Sequence, residues 1–361
     1  MTAMSQAPDT RVPASEAHAL VRQIYRASGM NKTDAALMAD SHIESDLRGA
    51  HSHGVLRIPG FVDRLVDDGV DPNGQPSITR EYGACLVIDG GNSMGQIGCS
   101  YAVEQVLDRA ETHGIAACAI RSSNHCGALA LYAMQALPHD MIALFTTHSM
   151  PIMAPWGGAE RLIGNNPLAI AIPAAQERPI VHDGAFSAAA YGKIRYYHQK
   201  GWDLPAGWAS DKDGRPALDT AAALEGLLAP IGHFKGAALG MIMGLFAALL
   251  SGGAYGTELD AGDGHARASE DSQFAMAIKI DAFTDINEFK ARVDPAIRQI
   301  HACRLAPGVE RLYAPGELEF LQSEAYVRDG IPLNGVTLAD LAMTADKLGA
   351  DVGAFNWLQP A

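Results

Sequence analysis

The segment 46–60, with the sequence DLRGAHSHGVLRIPG, places His51, Ser52, His53 and Arg57 within seven residues. An imidazole gains and loses protons near neutral pH, so His53 is suited to acid–base chemistry. The Arg57 guanidinium is suited to hold a planar carboxylate through two parallel hydrogen bonds. Taken singly, each of these residues is more commonly a surface or capping residue. Their clustering on a glycine-rich stretch favours a turn where side chains converge on a ligand.

The composition is typical of a soluble globular protein with ample core, since 48% of the 361 residues are hydrophobic and 19% are charged. A net charge of −14 argues against a nucleic-acid partner. The five cysteines form no Cys-x-x-Cys pair and are odd in number, which indicates a reducing compartment and predicts a cytoplasmic location. Residues 1–13 carry no signal pattern and are expected to form a loose tail.

The hydrophobic periodicity predicts an α/β (α+β) fold. Helical patterns cover 16–28 and 33–46, and helices return after about residue 285. Between them, short apolar or alternating runs predict the strands of one sheet at 85–89, 115–120, 141–146, 168–172, 180–183 and 274–280. We therefore expect a discontinuous helical domain of residues 1–80 and 285–361 around an α/β domain of residues 81–284.

The uncharged segment Gly236 to Thr257 reaches the length that spans a bilayer. Gly236, Gly240 and Gly244 lie four residues apart, so on a helix they form one smooth face for close packing. No second apolar span and no basic cluster accompany the segment. We expect a buried central helix and no membrane partner.

Several polar motifs lie where predicted strands end, and strand ends are where open α/β sheets bind ligands. The nearest approach to a Rossmann fingerprint, Gly91-x-x-x-Gly95-x-x-Gly98, has the wrong spacing for a pyrophosphate turn. Any dinucleotide must therefore be held differently. Each strand-end motif alone is more commonly a turn or a helix cap; the motifs lie at 123–127, 146–149, 164–167, 183–187 and 233–236.

In their order along nearly the whole chain, these motifs resemble the type-2 malate/L-lactate dehydrogenase family. That family includes ureidoglycolate, sulfolactate and diketogulonate oxidoreductases and the Δ1-piperideine-2-carboxylate/Δ1-pyrroline-2-carboxylate reductases. The set of ordered matches is highly specific, although each match is short. The matching segments are 51–59 (HSHGVLRIP), 123–128 (SNHCGA), 154–158 (APWGG), 164–167 (GNNP), 235–236 (KG), 306–308 (APG), 315–317 (PGE) and 329–332 (DGIP).

The resemblance implies an oxidoreductase that transfers a hydride between NADP or NAD, with NADPH slightly preferred, and a small carboxylate-bearing substrate. The substrate would be a cyclic imino acid such as Δ1-piperideine-2-carboxylate, or a 2-oxo or 2-hydroxy acid. The resemblance further implies a non-Rossmann nicotinamide-binding sheet domain inserted in the discontinuous helical domain. It also implies a homodimer with the active site near the subunit interface.

The resemblance also implies roles for individual residues. His53 resembles the acid–base residue, Ser52 and Asp183 its relay partners, and Arg57 the residue that holds the substrate carboxylate. His125 competes with His53 for the proton-transfer role, and the sequence leaves both open. The positions that match cofactor-contacting segments are His125, Cys126, Gly127, Ala128, Ser149, Asn165, Asp183, Gly184, Ala185, Lys235, Gly236, Arg311, Pro315, Gly316 and Glu317.

The chain departs from the family pattern at one position near the nicotinamide pocket. The family's Asp-x-Ala-Thr-Ser is Asp183-Gly-Ala-Phe-Ser187 here, so Phe186 replaces a small hydroxyl residue. The bulk of Phe186 makes a non-catalytic homologue an alternative. Elsewhere, the segment 235–239 (KGAAL) is closer to the imino-acid reductase branch.

A metal-dependent hydrolase is the alternative from another class of enzyme. His42, His51, His53, His125 and His148 supply more imidazoles than one zinc site requires. However, no His-x-x-x-His or Cys-x-x-Cys motif completes a familiar site. We therefore expect no bound metal.

Overall fold

The computed structural model of the protein describes residues 9–259 and 267–358. Helices dominate both ends of the described chain, as the periodicity predicts. The α-helices are α1 (Ala14–Ala27), α2 (Lys32–Leu47), α3 (Ile58–Val66), α4 (Gly95–His113), α5 (Ala130–Met134), α6 (Tyr191–Lys200), α7 (Thr220–Glu225), α8 (Phe234–Ala248), α9 (Ile286–Ala302), α10 (Glu317–Asp329) and α11 (Gly335–Lys347).

The strands form one seven-stranded mixed sheet and two small pairs. The order in the large sheet is β2-β3-β4-β10-β5-β6-β7, in which β3 and β4 are parallel and the other neighbours are antiparallel. The strands are β1 (Thr10–Val12), β2 (Ser77–Tyr82), β3 (Cys85–Asp89), β4 (Ile115–Ser123), β5 (Met141–Thr147), β6 (Leu168–Ile172), β7 (Ile180–Gly184), β8 (Ala209–Ser210), β9 (Leu227–Leu228), β10 (Asp271–Lys279) and β11 (Ile331–Leu333).

The prediction of a single sheet is confirmed for all six predicted strands, and β3, α4 and β4 form the expected strand–helix–strand unit. The sequence analysis missed β2. This strand lies at the sheet edge, pairs only with β3 and exposes most of its side chains, so its sequence SITREY carries no strong apolar alternation.

The large sheet lies between two layers of helix. Cys118 and Ala275 point to the face covered by α4 and α5, whereas Ala119 and Phe274 point to the face covered by α8. This division follows from the alternation of side chains along β4 and β10. Because the sheet is covered on both faces, ligands have access to it chiefly at its ends.

A second core is built from helices at both ends of the described chain. Leu20 and Ile24 of α1 and Met38 of α2 pack there with Leu341 and Ala345 of α11. This core is distinct from the cluster of buried residues that joins the sheet to α4. Residues distant in sequence therefore form one helical layer, on which the segment 51–57 is built.

Within the glycine-rich segment, the predicted close packing of the glycine face is confirmed for α8. The prediction that this helix is buried is wrong for its other face. A Cβ at Gly236 would lie 2.0 Å from the Ile231 carbonyl oxygen, and one at Gly244 would lie 2.5 Å from Nδ2 of Asn166. The glycine face therefore packs closely against protein. The opposite face of α8 exposes large apolar side chains, so the helix covers the sheet without being surrounded; the exposed residues are Leu239, Met241, Ile242 and Phe246.

Within the described residues, no helix has the length and apolar character needed to cross a membrane. The expected loose tail is wrong for residues 10–12, because β1 pairs with β11 and Val12 is fully buried. Residues 1–8 of that predicted tail lie outside the described residues.

Candidate active site

The segment 51–57 forms two short 3-10 turns between α2 and α3. Asp46, buried near the end of α2, accepts hydrogen bonds from Nδ1 of His51 (2.7 Å) and from the Val55 backbone N–H (2.8 Å). A Cβ at Gly54 would lie 2.0 Å from Oδ1 of Asp46, so the chain can pass over this carboxylate only as glycine. One buried carboxylate thus fixes the turn that carries Ser52 and His53.

The turn brings His53 to a second imidazole. The rings of His53 and His125 stack with their centroids 5.9 Å apart, and Phe61 of α3 packs against His125 at 5.3 Å. Ser52 Oγ lies 2.9 Å from Nδ1 of His53, and its relay role stays a prediction. Both candidates for proton transfer therefore lie in one half-buried cluster.

His125 follows the end of β4, in a turn held by several hydrogen bonds. Its Nδ1 accepts a hydrogen bond from the Gly127 backbone N–H at 3.1 Å. Because that nitrogen accepts, the neutral ring carries its proton on Nε2, which is a donor. Gly127 has φ +76°, and the buried Cys126 accepts a hydrogen bond from the Tyr132 hydroxyl through its carbonyl oxygen.

The surroundings of both rings disfavour a positive charge. Burial, and then the Arg57 charge, lower the pKa of His53 to about 4. Burial lowers the pKa of His125 well below its ordinary value, and Arg57 and His53 lower it further. Both imidazoles are therefore neutral in this state of the site at pH 7.

Arg57 lies half-buried beside this cluster, with its guanidinium carbon 5.5 Å from the centre of the Phe61 ring. Burial lowers its pKa, followed by the charge of Arg64. No carboxylate in the part of the chain that the structure describes pairs with Arg57. A buried cation without an acidic partner is suited to bind an anionic ligand.

Strand β7 brings the cofactor-matching segments together along its length. The Val181 N–H donates to the Pro315 carbonyl (3.0 Å), and the Asp183 carboxylate accepts from the Ala130 N–H (2.8 Å). Beyond the strand, the Phe186 N–H donates to the Asn165 carbonyl (2.8 Å). The loop at Pro315, the start of α5 and the turn at Asn165 therefore all contact one short segment, which consists of β7 and the two residues after it. Gly184 and Ala185 belong to this segment.

Asp183 contacts the segment after His125 and makes no hydrogen bond to His53. Its carboxylate is open to solvent on one side, and burial on the other side raises its pKa. The backbone N–H groups of Ala130 and Leu129 oppose that rise. The relay role that the resemblance implies for Asp183 stays a prediction, because the carboxylate holds the start of α5 instead.

Ser149 and Asn165 are joined to each other and to α8. Ser149 Oγ donates to Oδ1 of Asn165 (2.7 Å), and the Ser149 N–H donates to Oδ1 of Asn166 (2.8 Å). Nδ2 of Asn166 then donates to the Gly240 carbonyl at 2.7 Å. This network fixes the position of α8, which carries Lys235 in its first turn, relative to the turn at 164–167.

Lys235 and Gly236 form the first turn of α8. Lys235 is exposed and, among the described residues, forms no ion pair. The Ile231 N–H donates to the Phe186 carbonyl at 2.8 Å, which ties this helix start to the end of β7. The exposed Lys235 thus belongs to the positive end of α8, and that end is tied to the residues that follow β7.

The segment 311–317 is fixed by Glu317. This buried carboxylate accepts hydrogen bonds from Arg311, from Nε2 of His301 (2.7 Å) and from the Ala314 N–H (3.0 Å). These donors hold the pKa of Glu317 below its ordinary value. A Cβ at Gly316 would lie 2.7 Å from the Val181 carbonyl oxygen, so glycine lets this loop lie on β7.

Sequence reasoning missed Asp46, and it considered His42 only as a metal ligand. The sole sequence signal for Asp46 is an aspartate five residues before His51 and nine before Val55, a spacing with no regular period. Such contacts follow from the path of a turn. Neither hydrophobic periodicity nor a local motif reports that path.

Among residues 9–259 and 267–358, no three His, Cys, Asp or Glu side chains are grouped so that they could hold a metal ion. His42 hydrogen-bonds Tyr25, and His148 lies beside Ser272. His53 and His125 stack on each other, but neither they nor the other three histidines of the hydrolase alternative form such a group among the described residues.

Comparison with known proteins agrees with this geometry. The sequence model of the malate/L-lactate dehydrogenase family matches residues 12–342. Malate dehydrogenase of Pyrococcus abyssi is 33% identical over 347 residues, covering 94% of this chain and 95% of that enzyme. Delta(1)-pyrroline-2-carboxylate/Delta(1)-piperideine-2-carboxylate reductase of Pseudomonas putida is 33% identical over 350 residues, covering 97% and 100%. The solved structure of sulfolactate dehydrogenase from Methanocaldococcus jannaschii superposes with a TM-score of 0.88 at 30% identity, covering 96% and 99%.

The fold and these relatives define an oxidoreductase, a dehydrogenase or reductase that acts on carboxylate substrates. The chain belongs to the malate/L-lactate dehydrogenase family. The family resemblance is thereby confirmed, and the relatives give no support to a metal-dependent hydrolase.

The charge of Arg57 is open to a direct test. We expect His53 to titrate with a midpoint of about 4 in the free enzyme. Replacing Arg57 with Met removes the nearby positive charge and should raise that midpoint by about one unit. NMR titration of ring-labelled histidine measures both values. Arg298→Met, a remote control at an exposed ion pair, should leave the midpoint unchanged; equal midpoints in all three proteins would refute the assigned cause.

Proposed function

We propose that this enzyme transfers a hydride between NAD(P)H and the electrophilic carbon next to the carboxylate of a small 2-oxo acid or cyclic imino acid. The observation that carries the proposal is the juxtaposition of Arg57 with the stacked pair His53 and His125. A carboxylate anchor beside two proton-carrying rings suits a substrate whose carbonyl or imine gains a proton as it is reduced.

Arg57 provides the positioning step. A substrate carboxylate held by the guanidinium places the neighbouring carbon at a fixed distance from the imidazole pair. Phe61 forms an apolar wall against both Arg57 and His125, which excludes water from that side. The nicotinamide, when bound, supplies or accepts the hydride.

Proton transfer is coupled to substrate charge in this proposal. Arg57 lowers the pKa of both His53 and His125. A bound carboxylate neutralises that charge and so raises both pKa values, which favours a protonated ring when substrate is present. Nε2 of His125 carries a proton even in the neutral ring, and His53 is supported by Ser52, so both residues remain candidates for the donor.

The residues along β7 fit an extended, anionic dinucleotide. Lys235 offers an ammonium group at the start of the fifteen-residue helix α8. Gly127 and Gly316, both with positive φ, keep the flanking loops free of side chains. The proposed cofactor is NADP or NAD, with NADPH slightly preferred, as the family resemblance implies.

The two cores support the domain division predicted from the sequence. We infer that residues 1–80 and 285–361 form a discontinuous helical domain and residues 81–284 the cofactor-binding domain, which lacks a Rossmann fingerprint. The separate buried clusters of the helices and of the sheet support this division. The absence of any pairing among the cysteines of the described residues is compatible with a reducing cytoplasm.

A homodimer is the partner state that we propose. The outer face of α8 exposes Leu239, Ile242 and Phe246, and the exposed Leu249 and Leu250 continue it. Contiguous exposed apolar side chains are typical of an interface. Lys235 lies in the first turn of the same helix, so an interface on α8 would lie next to this cofactor-matching segment.

A substrate panel tests the proposed reaction. We expect purified protein to oxidise NADPH or NADH with at least one of Δ1-piperideine-2-carboxylate, Δ1-pyrroline-2-carboxylate, pyruvate, oxaloacetate, 3-sulfopyruvate and 2,3-diketogulonate. Turnover of a cyclic imine would place the enzyme in the imino-acid branch, and turnover of only a 2-oxo acid would place it in the dehydrogenase branch. No oxidation together with no cofactor binding would overturn the proposal.

Variants at Arg57 and the two histidines should separate binding from chemistry. Arg57→Met should raise KM about 10- to 100-fold, because a charge-assisted contact to the carboxylate is lost. His53→Ala should lower kcat about 100-fold or more with a smaller change in KM. If His53→Ala keeps its turnover and His125→Ala does not, the donor is His125; retention of full activity by both variants would contradict acid–base catalysis at this pair.

The oligomeric state is tested by charge placed on α8. Ile242→Asp should convert the dimer to a monomer, because burying an unpaired carboxylate in an apolar interface is unfavourable. Met343→Asp, at an exposed apolar position on α11 (66% exposed, against 42% for Ile242), is the control and should stay dimeric. Sedimentation velocity measures both, and an unchanged Ile242→Asp dimer would exclude this face.

A further inference from the structure

Behind the His51–His53 turn lies a fully buried pair of rings that the proposed reaction does not use. Tyr25 of α1 and His42 of α2 are both inaccessible to solvent. The Tyr25 hydroxyl lies 2.7 Å from Nε2 of His42, and the two rings are nearly parallel, with an interplanar angle of 8°. Burying a phenol and an imidazole together is unfavourable unless each polar atom is satisfied.

The other nitrogen of His42 points to the backbone of the active-site turn. Nδ1 of His42 lies 3.2 Å from the His53 carbonyl oxygen and 3.0 Å from the Gly54 carbonyl oxygen. Carbonyl oxygens only accept, so Nδ1 must carry the proton. Nε2 of the neutral ring is then an acceptor, and the Tyr25 hydroxyl donates to it. The partners on the two sides thus select one tautomer of His42.

This arrangement is a chain of donors that runs from the helical core to the backbone of His53. Burial lowers the pKa of His42 to about 4, against the opposing effect of its hydrogen bonds to the His53 and Gly54 carbonyl groups and with a smaller contribution from the charges of Arg57 and His53, so the ring is neutral at working pH. Of the groups around the ring, Tyr25 is a neutral phenol whose pKa burial raises. The donor and acceptor roles in this series of hydrogen bonds therefore stay the same across the physiological pH range.

We propose that His42, held in its Nδ1-protonated form by Tyr25, is a positioning residue that sets the placement of the His53 ring against His125. It acts through the carbonyl groups of His53 and Gly54 and touches neither substrate nor cofactor. Phe61 gives it a second route, since its ring contacts both His42 (5.4 Å between centroids) and His125 (5.3 Å). This inference rests on the proposed function, because it assigns a supporting part to the same site.

The reason to expect a kinetic effect is that, within residues 9–259 and 267–358, the His53 ring forms a hydrogen bond only to Ser52 on its own turn. Asp46 fixes the turn at His51 and Val55, before and after His53. Nδ1 of His42 contacts both carbonyl groups between them, and the Arg57 N–H is a second donor to the carbonyl of Gly54. A misplacement of about 1 Å in a catalytic group can lower turnover about 100-fold. His42 is therefore placed to govern kcat more than KM.

Two substitutions at residue 42 separate positioning from packing. The amide nitrogen of His42→Asn occupies about the place of Nδ1 and can still donate to the two carbonyl groups, whereas His42→Leu fills the space with no donor. Ser45→Ala is the matched control, because it removes another buried hydrogen bond on α2, from Ser45 Oγ to the Ser41 carbonyl, without touching the turn.

We expect His42→Leu to lower kcat about 10- to 100-fold with a change of less than about threefold in KM. His42→Asn should recover most of that loss, and Ser45→Ala should keep the wild-type kcat at a comparable fraction of folded protein. Ring-labelled NMR gives a readout independent of turnover. It should show His42 with its proton on Nδ1, and in His42→Leu the His53 pKa should rise by about one unit or more as the turn moves toward solvent.

The proposal is overturned if His42→Leu behaves as Ser45→Ala does, or if His42→Asn is no better than His42→Leu in both readouts. A His42 ring protonated on Nε2 alone would also overturn it. If the wild-type enzyme turns over no substrate, the proposed function fails, and the NMR titration of His53 in the same variants still decides the positioning role.

Discussion

The site depends on contact between the turn at 51–57 and the turn that follows β4. The stacked rings of His53 and His125 form this contact. His53 lies on the turn between α2 and α3, whose residues Val55 and Ile58 pack in the helical core, and His125 follows the end of a central strand. Neither ring is near its ordinary pKa, because each is buried by the other core and both are close to the Arg57 charge. The electrostatic character of the site is thus a property of the contact between the cores rather than of either turn alone.

The large sheet positions the segments that match cofactor-contacting residues. Along β7 and the two residues after it, the Val181 N–H, the Asp183 carboxylate and the Phe186 N–H bond in turn to the loop at Pro315, the start of α5 and the turn at Asn165. An edge strand has unpaired backbone groups on one side, and here those groups and the side chain of Asp183 recruit distant segments. The residues that matched cofactor-contacting segments are therefore adjacent in space although they span nearly two hundred positions.

Much of the fold was predictable because it follows from patterns within short segments of the sequence. The apolar runs of β3 to β7 and β10 identify the sheet, and the glycines of α8 identify a packed face. What the sequence does not reveal depends on tertiary paths. The exposed edge strand β2 has no periodic signal, the outer face of α8 looks like core, and the use of Asp183 to hold Ala130 could not be read from the chain. The family motifs identify which residues converge, but they do not say which of them touch.

In the proposed reaction, the charges around Arg57 disfavour protonation of His53 and His125 until a substrate carboxylate is bound. With Arg57 unpaired among the described residues, a proton on His53 or His125 places two cations side by side in a partly buried space. A carboxylate on Arg57 removes that obstacle, so the group that positions the substrate also permits the proton that completes its reduction. The loss of Arg57 would relieve the same repulsion without placing a substrate. Substrate binding and the proton affinity of the two histidines are therefore linked through the Arg57 guanidinium. This linkage depends on the distance between the rings and Arg57, so the buried residues Asp46 and His42, which hold the His53 turn, contribute to it.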